Sequence, residues 1–194
     1  MNAKTLSHKV MFCILMSIYV TLILLDGLLT YINTPDLALE QNPLVKHLGL
    51  GWGALFISNT IFLALITSML YYAMFKYKTP FASANSVLEY ASQLFYNRPD
   101  KKIWLLYRFP QNWKPFWAMT GYALLFAGII SRFILVVEWA FTLPAPYWNF
   151  RRSLPLNRVD VFAGLLVVLF TYFYWIINEY KKSKKQKGGH FENI

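Results

Sequence analysis

Four long apolar stretches, separated by polar segments, dominate the pattern of the chain. They cover residues 10–32, 50–75, 116–143 and 159–180. Each is long enough for a helix that crosses the hydrocarbon of a bilayer, which takes about 20 largely apolar residues. The pattern predicts an all-α integral membrane protein, with four transmembrane helices that form a single domain over residues 1–180.

Segment 79–110, between the second and third stretches, has a different pattern. Its middle is interrupted by Arg98-Pro99-Asp100-Lys101-Lys102, so it cannot span. Thr79-Pro80 resembles the N-cap and first residue of a helix, and apolar residues then recur at helical spacing as far as Phe95. We predict an amphipathic segment that lies in the membrane interface. Residues 181–194 are polar and basic, and we expect them to form a disordered tail.

Composition supports the membrane class. The chain is 57% hydrophobic and only 14% charged, whereas soluble domains contain about 25% charged residues. The single cysteine, Cys13, excludes an internal disulfide. The net charge of +10 comes largely from lysines beside the apolar stretches. This position favours anionic lipid headgroups as partners and argues against nucleic acid.

The distribution of basic residues predicts the orientation. Fourteen lysines and arginines lie before the first stretch, between the second and third, or after the fourth, whereas four lie in the other two loops. The positive-inside rule therefore places both termini in the cytoplasm, with loops 33–49 and 144–158 outside. We expect a multi-pass protein of the cytoplasmic (inner) membrane.

Polar residues inside the apolar stretches are the main candidates for function, because charge in hydrocarbon is costly. Asp26 interrupts the first stretch, at about 9–10 Å from its outer end by helix rise. Asn59 lies in the second stretch, Arg132 and Glu138 lie in the third, and Asp160 opens the fourth. All five fall in the same outer half of the predicted bilayer, which predicts one polar cluster.

The first stretch has a polar face. Tyr19, Asp26, Thr30 and Asn33 follow one another at seven-, four- and three-residue steps. These steps place them on one side of a helix. Because lipid cannot solvate polar groups, we expect this face to point into the bundle.

Beyond the first stretch lies Glu40-Gln41-Asn42-Pro43, in which Asn42 and Pro43 suit a helix start. The chain combines Asp26-x-x-x-Thr30 with Glu40-x-Asn42-Pro43 about ten residues later. This pattern resembles that of a family of small bacterial and archaeal multi-pass membrane proteins, which is known only as a domain of unknown function. The resemblance covers residues 15–75. It implies a compact helical membrane protein with polar residues at one membrane face, but no activity. Where members often have a second threonine, this chain has Leu29.

Three arginines depart from the positive-inside trend. Arg151, Arg152 and Arg158 lie in a short outer loop, and guanidinium groups bind phosphate well. They are therefore candidates for binding lipid headgroups, together with Thr30, Asn42, Asn59, Arg132 and Asp160. The alternative is structural: Asp26 pairs with Arg132, and the loop arginines pair with Asp36, Glu40 and Asp160.

Three classes of function remain open, and the sequence does not decide whether the protein is an enzyme. An accessory protein that binds lipid headgroups or a membrane partner, including a second copy of itself, fits the small size. An intramembrane hydrolase or transferase on an outer-leaflet lipid-like substrate would use Asp26, Glu40 or Glu138 as acid or base. Proton- or ion-coupled transport would need an oligomer, for which Gly121 and Gly128 offer a flat stripe. No cofactor is identified and no metal site is assigned.

Overall fold

A computed structural model describes residues 3–37, 45, 48–80, 84–98, 109–141, 143–154 and 157–191. Four of its helices are long and apolar enough to cross a membrane, and the described residues form no strand. The predicted all-α protein with four spanning helices is therefore confirmed. The six described helices are α1 (Ala3–Asn33), α2 (Trp52–Tyr71), α3 (Val87–Tyr96), α4 (Trp113–Ala140), α5 (Ala145–Ser153) and α6 (Val159–Phe191).

The spanning helices α1, α2, α4 and α6 lie close to the predicted stretches. Helix α4 begins at Trp113 rather than at residue 116. The reason is a cap: the Asn112 side chain accepts a hydrogen bond from the Lys114 amide, at 3.3 Å, and so satisfies a free N–H at the helix start. A five-residue π-helical turn, Tyr72–Lys76, continues α2. Hydropathy alone indicates neither feature.

Helix α4 is the centre of the bundle, because it packs against all three other spanning helices. Two glycines allow this close packing. A Cβ atom on Gly121 would lie 2.7 Å from the backbone carbonyl carbon of Met69 on α2, and one on Gly128 would lie 2.7 Å from the ring of Tyr19 on α1. The glycine stripe therefore contacts helices of the same chain.

Helix α3 packs against the bundle. Six of its residues are buried, and Tyr90 and Phe95 are fully enclosed in a core that includes Met119 of α4 and Trp175 of α6. The prediction that this helix begins at Thr79-Pro80 is wrong: residues 84–86 are not helical, and Ser86 is the N-cap, accepting a hydrogen bond from the Glu89 amide at 3.2 Å. Ser86-x-x-Glu89 is the sequence signature of a capping box, which outweighs Thr79-Pro80. Residues 81–83 and 99–108 of the predicted interfacial segment lie outside the described residues.

The last helix also differs from expectation, because α6 continues to Phe191. Residues 181–191 are therefore helical where a disordered tail was expected. Lysine and glutamine have good helix propensity, and Lys182 contacts Glu179 one turn earlier, at 2.7 Å. We call the side of the bundle that carries α3 the α3 end, and the opposite side, which carries α5, the α5 end.

The close approach of α2 and α4 gives a first prediction. Gly121→Ala places a methyl group against the α2 backbone, so we expect a loss of about 1–3 kcal/mol in the free energy of unfolding, the usual cost of overpacking. The measurement is unfolding of the purified protein in detergent micelles.

Gly27→Ala is the matched control, since no described atom lies within 4 Å of its Cβ position. For Gly27→Ala we therefore expect only the gain in helix propensity of alanine over glycine, up to about 1 kcal/mol. Equal effects of the two substitutions would contradict a close helix contact at Gly121.

Candidate functional site

Three spanning helices meet at one ion pair in the α5 half of the bundle. Asp26 of α1 is buried, at 6% exposure. Arg132 of α4 donates one guanidinium N–H to the Asp26 carboxylate and another to the side-chain oxygen of Asn59 on α2, at 2.6 Å. The charge of Arg132 is thus neutralised inside the protein, and its fork geometry links three helices. The pairing of Asp26 with Arg132, one of the two sequence interpretations, is confirmed.

The polar face of α1 is mostly as predicted. Tyr19, Asp26 and Thr30 are all buried. Asn33 is not: it is exposed, and its side-chain amide donates back to the Leu29 carbonyl, at 2.8 Å. Asn33 is the last residue of the helix, so its side chain satisfies a helix-end carbonyl and does not need the bundle.

A second ion pair joins α4 to α5. Glu138 accepts hydrogen bonds from the Tyr147 hydroxyl and lies 3.2 Å from the Arg151 guanidinium. Its carboxylate is nearly buried, with 7% of the side chain exposed. The pKa of Tyr147 is raised, mainly by burial and secondly by the hydrogen bond to Glu138. The phenol therefore stays protonated and can donate this hydrogen bond. Glu138 therefore has two partners.

A third contact set joins α4 to α6. Arg158 makes two hydrogen bonds to the Asp160 carboxylate, at 2.7 and 2.5 Å, in the bidentate geometry that gives the strongest ion pairs. Asp160 is buried in the first turn of α6, where the helix dipole favours a negative charge. Ser131 of α4 donates to the Asp160 backbone carbonyl, at 2.9 Å.

The predicted outer cluster is therefore divided in the structure into three groups of polar contacts. Each group includes a residue of α4. The expected partners of the loop arginines are only partly found: Arg158 pairs with Asp160, but Arg151 pairs with Glu138. Arg152 is exposed and makes no ion pair with any described residue. The candidates Glu40 and Asn42 lie outside the described residues. Among those described, no group of three or more His, Cys, Asp or Glu side chains is placed to hold a metal ion.

The α3 end contains a polar cluster that sequence reasoning missed. Glu179 of α6 is buried, at 2% exposure. Near it lie the hydroxyls of Tyr77 and Tyr90, whose pKa values are raised by burial and then by the Glu179 charge. The signal was present: Tyr172, Ile176, Glu179 and Ser183 follow at helical spacing. This pattern is obscured by the lysines that follow Glu179, because they give the segment the composition of a solvated tail.

No family model, no curated protein and no solved structure matches the chain. The family resemblance of residues 15–75 stays a prediction. The geometry and charges described above are therefore the basis on which function is proposed.

The buried ion pair gives a second prediction. Asp26→Asn leaves the Arg132 guanidinium without its counter-ion in an apolar setting, and Arg132→Gln leaves the Asp26 carboxylate in the same state. Breaking a buried pair from one side costs about 3–5 kcal/mol. The double variant Asp26→Asn/Arg132→Gln removes both charges, and we expect it to be more stable than either single variant.

The measurement is a double-mutant cycle on the free energy of unfolding in detergent micelles. The two single losses should be strongly non-additive. Losses that simply add would show that the two side chains do not depend on one another.

Proposed function

We propose that this protein is an accessory membrane protein whose α5 end binds the phosphate groups of anionic lipid headgroups. In this proposal it lies in the inner membrane with both termini in the cytoplasm, and its α5 end faces outward. The observation that carries the proposal is Arg152, an exposed arginine without an ion pair among the described residues. It lies next to the firmly held Arg151.

Helix α5 has features typical of a helix that lies at the level of the lipid headgroups. Arg151 is held by three contacts: the Glu138 carboxylate, the Asn157 carbonyl at 2.9 Å and the face of the Trp148 ring at 5.3 Å. The Trp148 indole in turn donates to the Leu143 carbonyl, at 3.0 Å. Aromatic rings of this kind favour the boundary between hydrocarbon and headgroups. Exposed Phe150 adds an apolar side chain to the same short helix.

The phosphate group is the ligand that this arrangement suits. A fixed helix lowers the entropy that Arg152 loses when it binds, and a guanidinium makes bidentate hydrogen bonds to phosphate oxygens. A carboxylate ligand could accept the same pair of hydrogen bonds from the guanidinium group. Lipid phosphates, however, are the anions concentrated at the membrane level where Trp148 lies.

The enzyme alternative has less support from the geometry. A general acid or base must exchange a proton with a substrate. Asp26, Glu138 and Asp160 are each engaged by an arginine instead, so a substrate would have to displace that arginine before it could exchange a proton with the carboxyl group. The third candidate acid, Glu40, lies outside the described residues.

The transport alternative also has less support. A proton or ion pathway needs polar groups through the full depth of the membrane. Between the two ends of this bundle lies a buried cluster made of Tyr19, Ile66, Leu70, Met74 and Leu125. Four of these five side chains carry no group that ordinarily relays a proton.

Removal of the unpaired arginine gives a third prediction. In native mass spectrometry of the detergent-extracted protein, wild type should retain phosphatidylglycerol, and Arg152→Ala should bind it about tenfold more weakly, the loss expected for a charged hydrogen-bonded contact. Arg152→Lys should fall between the two, because an ammonium cannot bind bidentately.

Lys114→Ala is the control, since it removes one exposed positive charge from the α3 end. It should leave retention of phosphatidylglycerol unchanged. If Arg152→Ala and Lys114→Ala reduce retention equally, lipid binding follows net charge alone and the α5 site is wrong. A co-purifying protein that all three variants retain equally, with no bound lipid, would favour a protein partner instead.

A further inference from the structure

We propose a second binding site, at the α3 end, for a primary ammonium group. The site consists of the Glu179 carboxylate and the hydroxyls of Tyr77 and Tyr90. The ammonium comes either from a free small amine or from the ethanolamine headgroup of a lipid. This inference is independent of the phosphate site at the α5 end.

The first argument is hydrogen-bond satisfaction. One oxygen of Glu179 and the hydroxyl oxygens of Tyr77 and Tyr90 are buried, and none has a well-formed hydrogen bond with the residues that the structure describes. Native proteins pair the large majority of their buried polar atoms. These three atoms belong to three separate elements, namely α6, the residue after the π-helical turn, and α3. Three such atoms near one another indicate a place for a ligand.

The second argument is the charge of Glu179. Its first oxygen accepts a hydrogen bond from Lys182, at 2.7 Å, but the lysine side chain is 61% exposed, whereas the Glu179 side chain is 2% exposed. The lysine therefore contacts the carboxylate from the solvent edge and leaves the inner oxygen unpaired. A buried carboxylate oxygen is costly unless donors reach it. The Tyr77 hydroxyl approaches the Glu179 carboxylate, and an ammonium ligand would supply the further donors and a compensating positive charge.

The third argument selects the ligand class. The Glu179 carboxylate repels phosphate and other anions. An ammonium group has several N–H donors, and a carboxylate oxygen with two hydroxyl oxygens provides acceptors for them. Aromatic rings attract cations, and the cluster has two ring pairs: Tyr77 with Trp175, at 5.5 Å between centroids, and Tyr90 with Tyr180, at 5.8 Å.

Helix α3 forms one wall of the site. It carries Tyr90, and the residues just before it are attached to α6 by the Tyr180 hydroxyl, which donates to the Asn85 carbonyl at 2.9 Å. Two backbone amides, of Gln111 and Asn112, also donate to the Phe95 carbonyl at the other end of α3. The helix is therefore held at both ends, which fixes the position of the Tyr90 hydroxyl.

The test is thermal unfolding of the purified full-length protein with three added salts at equal ionic strength: ethanolamine hydrochloride, ammonium chloride and tetramethylammonium chloride. We expect ethanolamine and ammonium to raise the unfolding midpoint saturably, because a ligand that binds only the folded state stabilises it. Tetramethylammonium has no N–H donor and should have no saturable effect. In Glu179→Gln the ethanolamine effect should disappear.

A second pair of variants keeps the test decisive if Glu179→Gln folds poorly. Tyr77→Phe/Tyr90→Phe should weaken ethanolamine binding about tenfold, by loss of hydrogen bonds to a charged group. Without ligand, the same variant should unfold at an equal or higher temperature than wild type, since it removes two unpaired buried hydroxyls. Tyr174→Phe, on an exposed tyrosine of α6, is the matched control and should change neither quantity.

Bilayer nanodiscs distinguish the two sources of the ammonium group. If protection by phosphatidylethanolamine exceeds that by phosphatidylcholine and free ethanolamine is without effect, the ligand is a lipid headgroup. Protection by free ethanolamine as well identifies a site open to soluble amines. Both results support the proposal. Equal effects of ethanolamine and tetramethylammonium, equal effects on wild type and Glu179→Gln, or no saturable effect of any amine or of phosphatidylethanolamine would overturn it.

Discussion

Hydrocarbon offers no solvent to a charge, so each charged side chain on a spanning helix must find its counter-ion within the protein or reach a membrane surface. Arg132 shows what this constraint requires. Its guanidinium lies on the central helix α4 and contacts Asp26 of α1 and Asn59 of α2. The contact sets the relative height of three helices, because a shift of one turn, about 5.4 Å, would leave a buried charge unpaired.

The glycines act under the same constraint. Gly121 and Gly128 let α2 and α1 approach α4 until side chains from both helices can reach Arg132. On the other side of α4, Ser131 bonds to the Asp160 backbone and lies 2.7 Å from the Cβ position of Gly164. Small residues and polar contacts thus both lie along α4. Such a combination holds spanning helices together when burial of apolar surface cannot distinguish a helix neighbour from lipid.

Sequence patterns predicted the parts of this structure that depend on hydropathy and on depth. The four spans follow from apolar length, and the pairing of Asp26 with Arg132 could be proposed because both lie in the predicted outer half of the bilayer. The partner of Arg151 could not be predicted from the sequence, since it depends on how α5 folds back toward Glu138. The docking of α3 was also hidden, because an amphipathic face has the same pattern against a bundle as against a membrane. Glu179 looked like the edge of a solvated tail until α3 was seen to cover its surroundings.

The two ends of the bundle use charge in opposite ways, and this difference is the strongest indication of where ligands bind. At the α5 end, the described spanning-helix carboxylates are paired with arginines, and the cation that remains exposed is Arg152 on a rigid surface helix. At the α3 end, a carboxylate oxygen and two tyrosine hydroxyls are buried without well-formed hydrogen bonds to the described residues. Paired charges hold helices in register and gain nothing from a ligand. Unpaired groups gain hydrogen bonds only when a ligand arrives, so Arg152 and the surroundings of Glu179 are the places where we propose that ligands bind.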